Sequence, residues 1–456
     1  MKNLRYLTTV VLGALTFALV GEVISQEEPK KKDPYTREAG GEKTKPDAPT
    51  ADTNLVLDLQ FIEVSLDEVM QGERDNLTDG EWRDFVGERV KAGTARIANS
   101  MAMLAGSGQR TQIVSHLELF VPTERTLLAF DPSGPDYPNE VRTRSVGMSF
   151  EIAPVLSADQ KSLDLSYALE LSRHLGETEG ARVPSERLTD TDVMNPSFWE
   201  QSISAQSLLT IGEYRLLTKF EADQDEGAAK KKVLLVFIRT DLVEISAVVP
   251  PEKMPEGSEL NLRSTAVQID ADVWHGWLTS SDLPALFDGG AWKRVEEARA
   301  KEGNVVSVLA APRIRGRSGN RAKTHMGERQ DYATAFDPPS EKGARAVPEE
   351  FRSHELGVIW EIDPTMSNNG RIDVNQRMEL SSAHGHSVSY RALVDGKWQP
   401  SIQFPKFYSS AYTGQVTLAP DANLLVAVGT PADADGSPDL SKKLLFFLHN
   451  DTFVEK

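Results

Sequence analysis

The chain has 456 residues, with 50 Lys and Arg against 68 Asp and Glu and a formal charge of −18. Hydrophobic residues make up 39 % and charged residues 26 %, which excludes a bundle of membrane helices and a disordered chain alike. The acidic balance argues against nucleic acid as a partner, and the absence of cysteine excludes disulfides, thiolate metal sites and a thiol nucleophile.

In chain order, Lys2 and Arg5 precede an uncharged stretch, Tyr6 to Val20, which Glu22 ends. That run is shorter than the roughly 20 residues a spanning helix needs. With Val23 and Ser25 at the −3 and −1 positions, 1–25 reads as a secretory signal cut after Ser25; an uncleaved N-terminal anchor is the alternative. Residues 26–52 hold Pro29, Pro34, Pro46, Pro49 and Lys30–Lys32 with almost no apolar residues, the composition of a flexible linker.

The body carries one pattern twice. Val146-Gly-Met-Ser-Phe-Glu-Ile-Ala-Pro154 recurs as Leu356-Gly-Val-Ile-Trp-Glu-Ile-Asp-Pro364, an offset of 210 from Glu151 to Glu361. Ser107-Gly-Gln-Arg110 matches Ser318-Gly-Asn-Arg321, and Leu163–Ser172 matches Ile372–Ser381. Near the ends, Lys231–Ile238 aligns with Lys442–Leu448. A period this long indicates a duplicated domain rather than a solenoid. The expected copies are 53–246 and 263–456, joined by a Pro-rich linker over 247–262.

Within each copy the dominant period is two. Val146, Met148, Phe150 and Ile152 share a face, as do Leu356, Val358, Trp360 and Ile362. Such alternation predicts antiparallel strands with one buried face, and the unbroken runs Val233–Ile238 and Leu444–Leu448 predict central strands. Ser157–Gln160 and Ser367–Gly370 read as hairpin turns. Trp82, Phe85, Val86 and Val90 fall on one helical face, and Trp292, Val295 and Ala298 repeat that arrangement. The expected fold class is α+β and β-dominated: two tandem domains, each a mostly antiparallel sheet with one packed helix.

Val305–Arg313, Arg317–Ala322 and Gly327-Glu328 together resemble the opening of the secretin C-terminal domain, the outer-membrane ring domain of bacterial type II and type III secretion and type IV pilus systems. Leu356–Pro364, Gly370–Ser381 and Leu444–Leu448 are similar to its later strands, so the resemblance covers about 304–455 and, through the repeat, 95–244 more faintly. It implies family-motif structural roles for Pro312, Arg313, Gly327, Gly357, Pro364 and Glu379, and for Gly147, Pro154 and Glu170 in the first copy. The family's apolar, glycine-rich gate and lip segment is replaced here by Thr430–Asp439 and Glu221–Gly227, both short, polar and acidic. The expected protein is an exported component of the periplasm or outer-membrane-associated envelope, with a structural or protein-interaction role. Its expected partners are other envelope or secretion-system proteins or itself, and its membrane contact is at most peripheral. A genuine outer-membrane secretin subunit is the alternative, and a metal- or carbohydrate-binding module or hydrolase the second.

His384 and His386 have a spacing compatible with a metal, but a third ligand from His354 or Glu379 would be needed. The first copy has His174-Leu175-Gly176 after the same strand, so a solvated loop is the competing reading and no cofactor is expected. The repeated acids Glu170/Glu379 and Asp164/Asp373 are expected on the wet faces of strands, in separate domains, where they form no catalytic pair. Arg313, Arg315, Arg317 and Arg321 form a basic stripe suited to a charged sheet edge. No hydrolase, zincin or nucleotide-binding motif occurs, and the protein is not expected to be an enzyme.

Overall fold

The computed structural model describes residues 53–126, 137–179, 194–222, 231–245, 259–300, 306–337, 346–367, 370–394 and 397–453. The signal segment, the linker over 26–52, residues 247–258 of the Pro-rich linker and most of Glu221–Gly227 lie outside them. Residues 49–456 form one compact unit.

The first half runs β1 (Thr53–Ser65), α1 (Leu66–Arg74), α2 (Asp79–Ala92), β2 (Arg96–Ala105), β3 (Thr111–Thr126), β4 (Tyr137–Leu156), β5 (Ser162–Glu179), β6 (Met194–Thr210), β7 (Tyr214–Glu221) and β8 (Lys232–Glu244). The second half opens with β9 (Glu259–Asp270), α3 (Ala271–Ser280), α4 (Leu283–Phe287), α5 (Gly290–Ala300), β10 (Val306–Ala310) and β11 (Arg313–Arg317). It continues with β12 (Ala322–Met326), β13 (Arg329–Ala333), β14 (Phe336–Asp337), β15 (Val347–Pro348) and β16 (Phe351–Glu355). It closes with β17 (Gly357–Met366), β18 (Ile372–Val394), β19 (Lys397–Leu418), β20 (Asn423–Gly429) and β21 (Lys442–Phe453). The fold is β-dominated α+β.

Local chemistry sets several boundaries. Ser65 with Glu68 and Thr78 with Glu81 form capping boxes that start α1 and α2, and Gly93 ends α2 in the left-handed conformation. The single helix expected in each half is therefore accompanied by short neighbours, α1 in the first half and α3 and α4 in the second. β1 is buried from Asn54 to Val64, as a central strand with both faces covered must be. Its even-numbered Ile62 and Val64 pack with Val69, Trp82 and Val86 of the helices. Its odd-numbered Leu55, Leu57, Leu59 and Phe61 join the main core with Ile113, Phe150 and Leu165 of the other sheet.

The halves do not keep separate sheets. A nine-stranded sheet has the order β10-β9-β21-β20-β2-β1-β8-β7, with β11 also on β9, and an eight-stranded sheet has the order β12-β17-β18-β19-β3-β4-β5-β6. Every strand pairing within them is antiparallel. Each sheet thus lists the second half's strands and then the first half's, in the same internal order.

Corresponding positions share geometry. Gly108 N–H donates to the Pro154 carbonyl at 2.7 Å and Gly319 N–H to the Pro364 carbonyl at 2.8 Å. Gly147 has φ +142 and Gly357 φ +94, and a Cβ at either would lie 2.3 Å from the carbonyl oxygen of Ser115 or Met326 on the adjacent strand. Both positions therefore exclude a side chain on conformational and steric grounds. One-residue bulges fall at Ala98 in β2 and Leu309 in β10, and again at Leu217 in β7 and Val426 in β20.

The register also corrects the sequence alignment by one residue. Ser65 and Asp270 each precede a helix, and they lie opposite Lys232 and Lys442. Lys232, not Lys231, therefore corresponds to Lys442, and Val233 corresponds to Lys443.

Candidate interaction edges and the seam between the halves

The halves meet along a seam that crosses both sheets. β20 pairs with β2 through Ala102↔Val428 and Met103↔Ala427, and β19 pairs with β3 from Gln112↔Thr413 to Glu118↔Phe407. The β2/β3 side is called the leading edge and the β19/β20 side the trailing edge. Buried polar groups stitch them. Ser115 and Ser410 hydroxyls are 3.1 Å apart, and Thr430 N–H donates to Ser115 Oγ at 3.2 Å. Tyr412 donates its hydroxyl to the Leu104 carbonyl at 2.7 Å. The Asn54 side chain donates to the Thr417 carbonyl at 2.8 Å and accepts from its N–H at 2.9 Å.

The charged member of this seam is Lys443, which has no solvent exposure. Its Nζ donates across β20 to Asn99 Oδ1 and to the Ser100 carbonyl at 2.8 Å. Burial pushes the Lys443 ammonium down to about 7. From α3, His275 Nε2 shares a 3.1 Å hydrogen bond with Ser100 Oγ, and burial reinforced by the Lys443 charge pushes this imidazole down to about 4. Asp58, buried in the adjacent β1, is raised to about 6 by desolvation, although Gln60 donates to its Oδ2 at 2.6 Å.

At the two ends the same kinds of edge have no further paired strand among the described residues. β6 and β7 form a trailing edge, and β12 with β10 and β11 forms a leading edge. Large apolar side chains are exposed there: Leu208 on β6, Val308 and Leu309 on β10, and Met326 on β12. Met70 of α1 is 54 % exposed, although its counterpart in α3 is the seam residue His275.

The residues singled out from sequence are spread over strands and turns and form no cleft. Pro312 separates β10 from β11, so that two short strands cover the length of β9 that β2 covers on β1, and Arg313 donates to Asp451 at 3.1 Å. Gly327 lies against Leu356 and Gly357, where a Cβ would meet the Leu356 carbonyl oxygen at 1.8 Å. Glu170 is exposed, between Ser149 and Ser202.

Glu379 is not on a wet face: it is 8 % exposed and bound to Arg377. Beside it, the excursion from β13 to β16 covers the sheet, with His354 stacked on Phe407 at 4.1 Å and hydrogen-bonded to Ser381 at 2.9 Å. That excursion has no counterpart among the described residues of the first half, so equal sequence positions have unequal exposure. His384 Nε2 is 2.7 Å from Ser382 Oγ and its ring lies against Gly436, whereas His386 is exposed. Among the described residues no group of three His, Asp or Glu could hold a metal.

Lys443, Asn99, Ser100 and His275 belong to no motif of the sequence. The available signal was a lysine at the start of an apolar strand where the other half has Val233, and the one-residue misalignment hid it.

No family model matches the chain, and no curated protein matches it. Solved structures that it resembles include the type II secretin GspD of enteropathogenic Escherichia coli, at TM-score 0.22 and 11 % identity over 43 % of this chain and 70 % of that one. Aeromonas hydrophila ExeD is similar at TM-score 0.25 and 14 % identity over 57 % of each chain. The type IV competence pilus secretin PilQ of V. cholerae is similar at TM-score 0.21 and 8 % identity, over 89 % of this chain and 62 % of that one.

Proposed function

We propose that the protein is an exported envelope component whose two duplicated, secretin-like halves build a water-facing wall by joining copies of the chain head to tail. Its role is structural, beside secretion or pilus machinery. The observation that carries this reading is the seam: a trailing edge meets a leading edge inside the chain, and one edge of each kind has no paired strand among the described residues. A heterologous contact of this kind closes into a ring or runs on as a filament, according to the rotation at each step. The shared turns, bulges and glycines support descent from one duplicated unit, and the ordered motifs in 304–455 support its secretin character.

A polar outer face supports a wall in water. Along β5 and β6 that face exposes Asp164, Ser166, Glu170, Glu200, Ser202, Ser204 and Gln206, while the large exposed apolar residues of the two strands are Leu208 and, beside the β5 bulge, Leu175. A lipid-facing strand needs outward apolar residues along about 9–11 positions.

The absence of native cysteine makes a direct test simple. By the seam's register, Ser202 and His325 correspond to the paired Ala411 and Val114. The S202C/H325C chain is expected to form a disulfide ladder of dimers, trimers and higher species on mild oxidation, and each single variant to stay monomeric, because its cysteine then faces His325 or Ser202 of the next chain. Monomers alone at tens of micromolar protein would overturn the reading. A second reading, an outer-membrane secretin ring, draws on the same open edges, and heat-resistant rings in the outer-membrane fraction would favour it.

A further inference from the structure

The two junctions of the proposed chain-to-chain wall are not chemically alike. At the inner seam, the trailing side presents Lys443 and His275 and the leading side presents Asn99 and the Ser100 carbonyl and hydroxyl. Strand register and bulge position identify the counterparts at the open ends. Val233 stands for Lys443 and Met70 for His275 on the trailing edge; Ala310 stands for Asn99 and Ala311 for Ser100 on the leading edge. Polar meets polar inside the chain, and apolar would meet small and apolar between chains.

We infer that these four pairs of positions form a matching code that lets the second half's trailing edge take only a first half's leading edge, and the reverse, so that halves alternate strictly along the assembly. This rests on the head-to-tail reading. A second copy of the chain is the occupant of the open edges, because they continue an interface the chain already makes with itself. Two second halves joined together would bury Lys443 against Ala310 and Ala311, where the Ala311 backbone carbonyl could replace that of Ser100 but no side chain replaces the Asn99 acceptor. Two first halves joined together would bury Asn99 and Ser100 against Val233 and Met70, without donors. Burying a charge or an amide without its partner opposes either mispairing. Each chain therefore seals its own seam and adds to the assembly as a whole.

The test uses the S202C/H325C chain and changes only the outer code. Met70 and Ala311 are exposed, whereas Val233 packs against the Ile62–Trp82 cluster and Ala310 against the main core, so the urea midpoint of each dilute variant is measured first and ladder yields are compared among chains that are folded. A310N/A311S alone and M70H/V233K alone are each expected to cut ladder formation roughly tenfold, the scale of an unmatched buried polar group. All four changes together recreate the inner code and are expected to restore the ladder to within about twofold of the parent, as matched partners require. A ladder of the same yield in all four chains would overturn the code and leave head-to-tail assembly standing. A parent chain with no ladder would instead overturn the assembly on which the code rests.

Discussion

At the inner seam, β19 and β20 lie against β3 and β2, and Ser115, Tyr412, Asn99 and Lys443 are all buried there. At the open edges, corresponding backbone faces outward, with Met70, Leu208 and Met326 more than half exposed. Identical strand order therefore coexists with opposite side-chain chemistry, and under the proposed head-to-tail assembly the difference would follow from when each junction forms. A seam closed during folding can hold a desolvated ammonium, because its acceptors arrive at high effective concentration in the same chain. An edge that waits for a partner does better with small and apolar groups, whose exposure costs little in solubility and whose burial needs no exact hydrogen-bond geometry.

The largest expected difference between the two regions is at Asn99 and its counterpart Ala310. Asn99→Ala removes an acceptor from the buried Lys443 ammonium and should cost about 3 kcal/mol of unfolding free energy in urea at pH 6. Ala310→Asn, on the open edge, should change it by less than about 0.5 kcal/mol. The sign of the pH dependence follows from the lysine being lowered from 10.5 to about 7. Between those values the unfolded chain holds a proton that the folded chain has lost, so stability rises with pH across the window. The Asn99→Ala loss should accordingly be smaller at pH 9 than at pH 6, and Lys443→Met should flatten the rise. Equal costs at both pH values would mean that the ammonium is not what Asn99 serves.

Asp58 sharpens the same contrast with the opposite sign. Its folded carboxyl is raised from 3.8 to about 6, so the folded state holds the extra proton and loses stability as pH climbs through that window. Asp58→Asn should therefore stabilise the chain by about 2 kcal/mol at pH 8 and remove that decline. Thermal melts at pH 4 and pH 8 read both effects, and a destabilised variant at pH 8 would show that the ionised carboxylate is needed by Arg83 or Arg239.

How much of this was readable from sequence can be traced to particular residues. The alternation in Val146–Ile152 and Leu163–Leu171 specifies strands, because a one-residue slip would turn every apolar side chain outward. Gly147 and Gly357 stood out by their spacing, and the structure gives both a positive φ against a neighbouring carbonyl. The sharing of two sheets between halves was not legible, since nothing local distinguishes an edge that pairs within its own half from one that pairs across. Strand alternation alone puts Glu379 on a wet face, and it does not show the Arg377 partner or the neighbouring β13–β16 excursion that contacts Ser381 on the same strand. Lys443 is hidden in the sequence because Lys442-Lys443 resembles Lys231-Lys232, a doublet that the register sets one residue apart.

A smaller difference separates Tyr412 from its counterpart Ile203 on the open β6. Tyr412→Phe deletes the hydroxyl that crosses the seam to the Leu104 carbonyl and should cost about 1–2 kcal/mol. Ile203→Val, half-exposed at its edge, should cost at most about 0.5 kcal/mol in the single chain. Similar losses at both sites in dilute urea titrations would erase the distinction between a sealed and an open junction.

The smallest effect is expected at Met70, and it is the most direct check that the open edge is open. An exposed methionine on a helix contributes little to folding, so Met70→Ser should leave the urea midpoint of the dilute chain unchanged, within about 0.3 kcal/mol. His275→Ser, at the matching place over the seam, gives up the hydrogen bond to Ser100 and should cost about 1 kcal/mol. At high protein concentration the order should reverse in self-association, because only Met70 lies on the surface that a second chain would cover. If Met70→Ser instead destabilised the dilute chain as much as His275→Ser, that side chain would already be buried in the monomer, and the two junctions would no longer differ in kind.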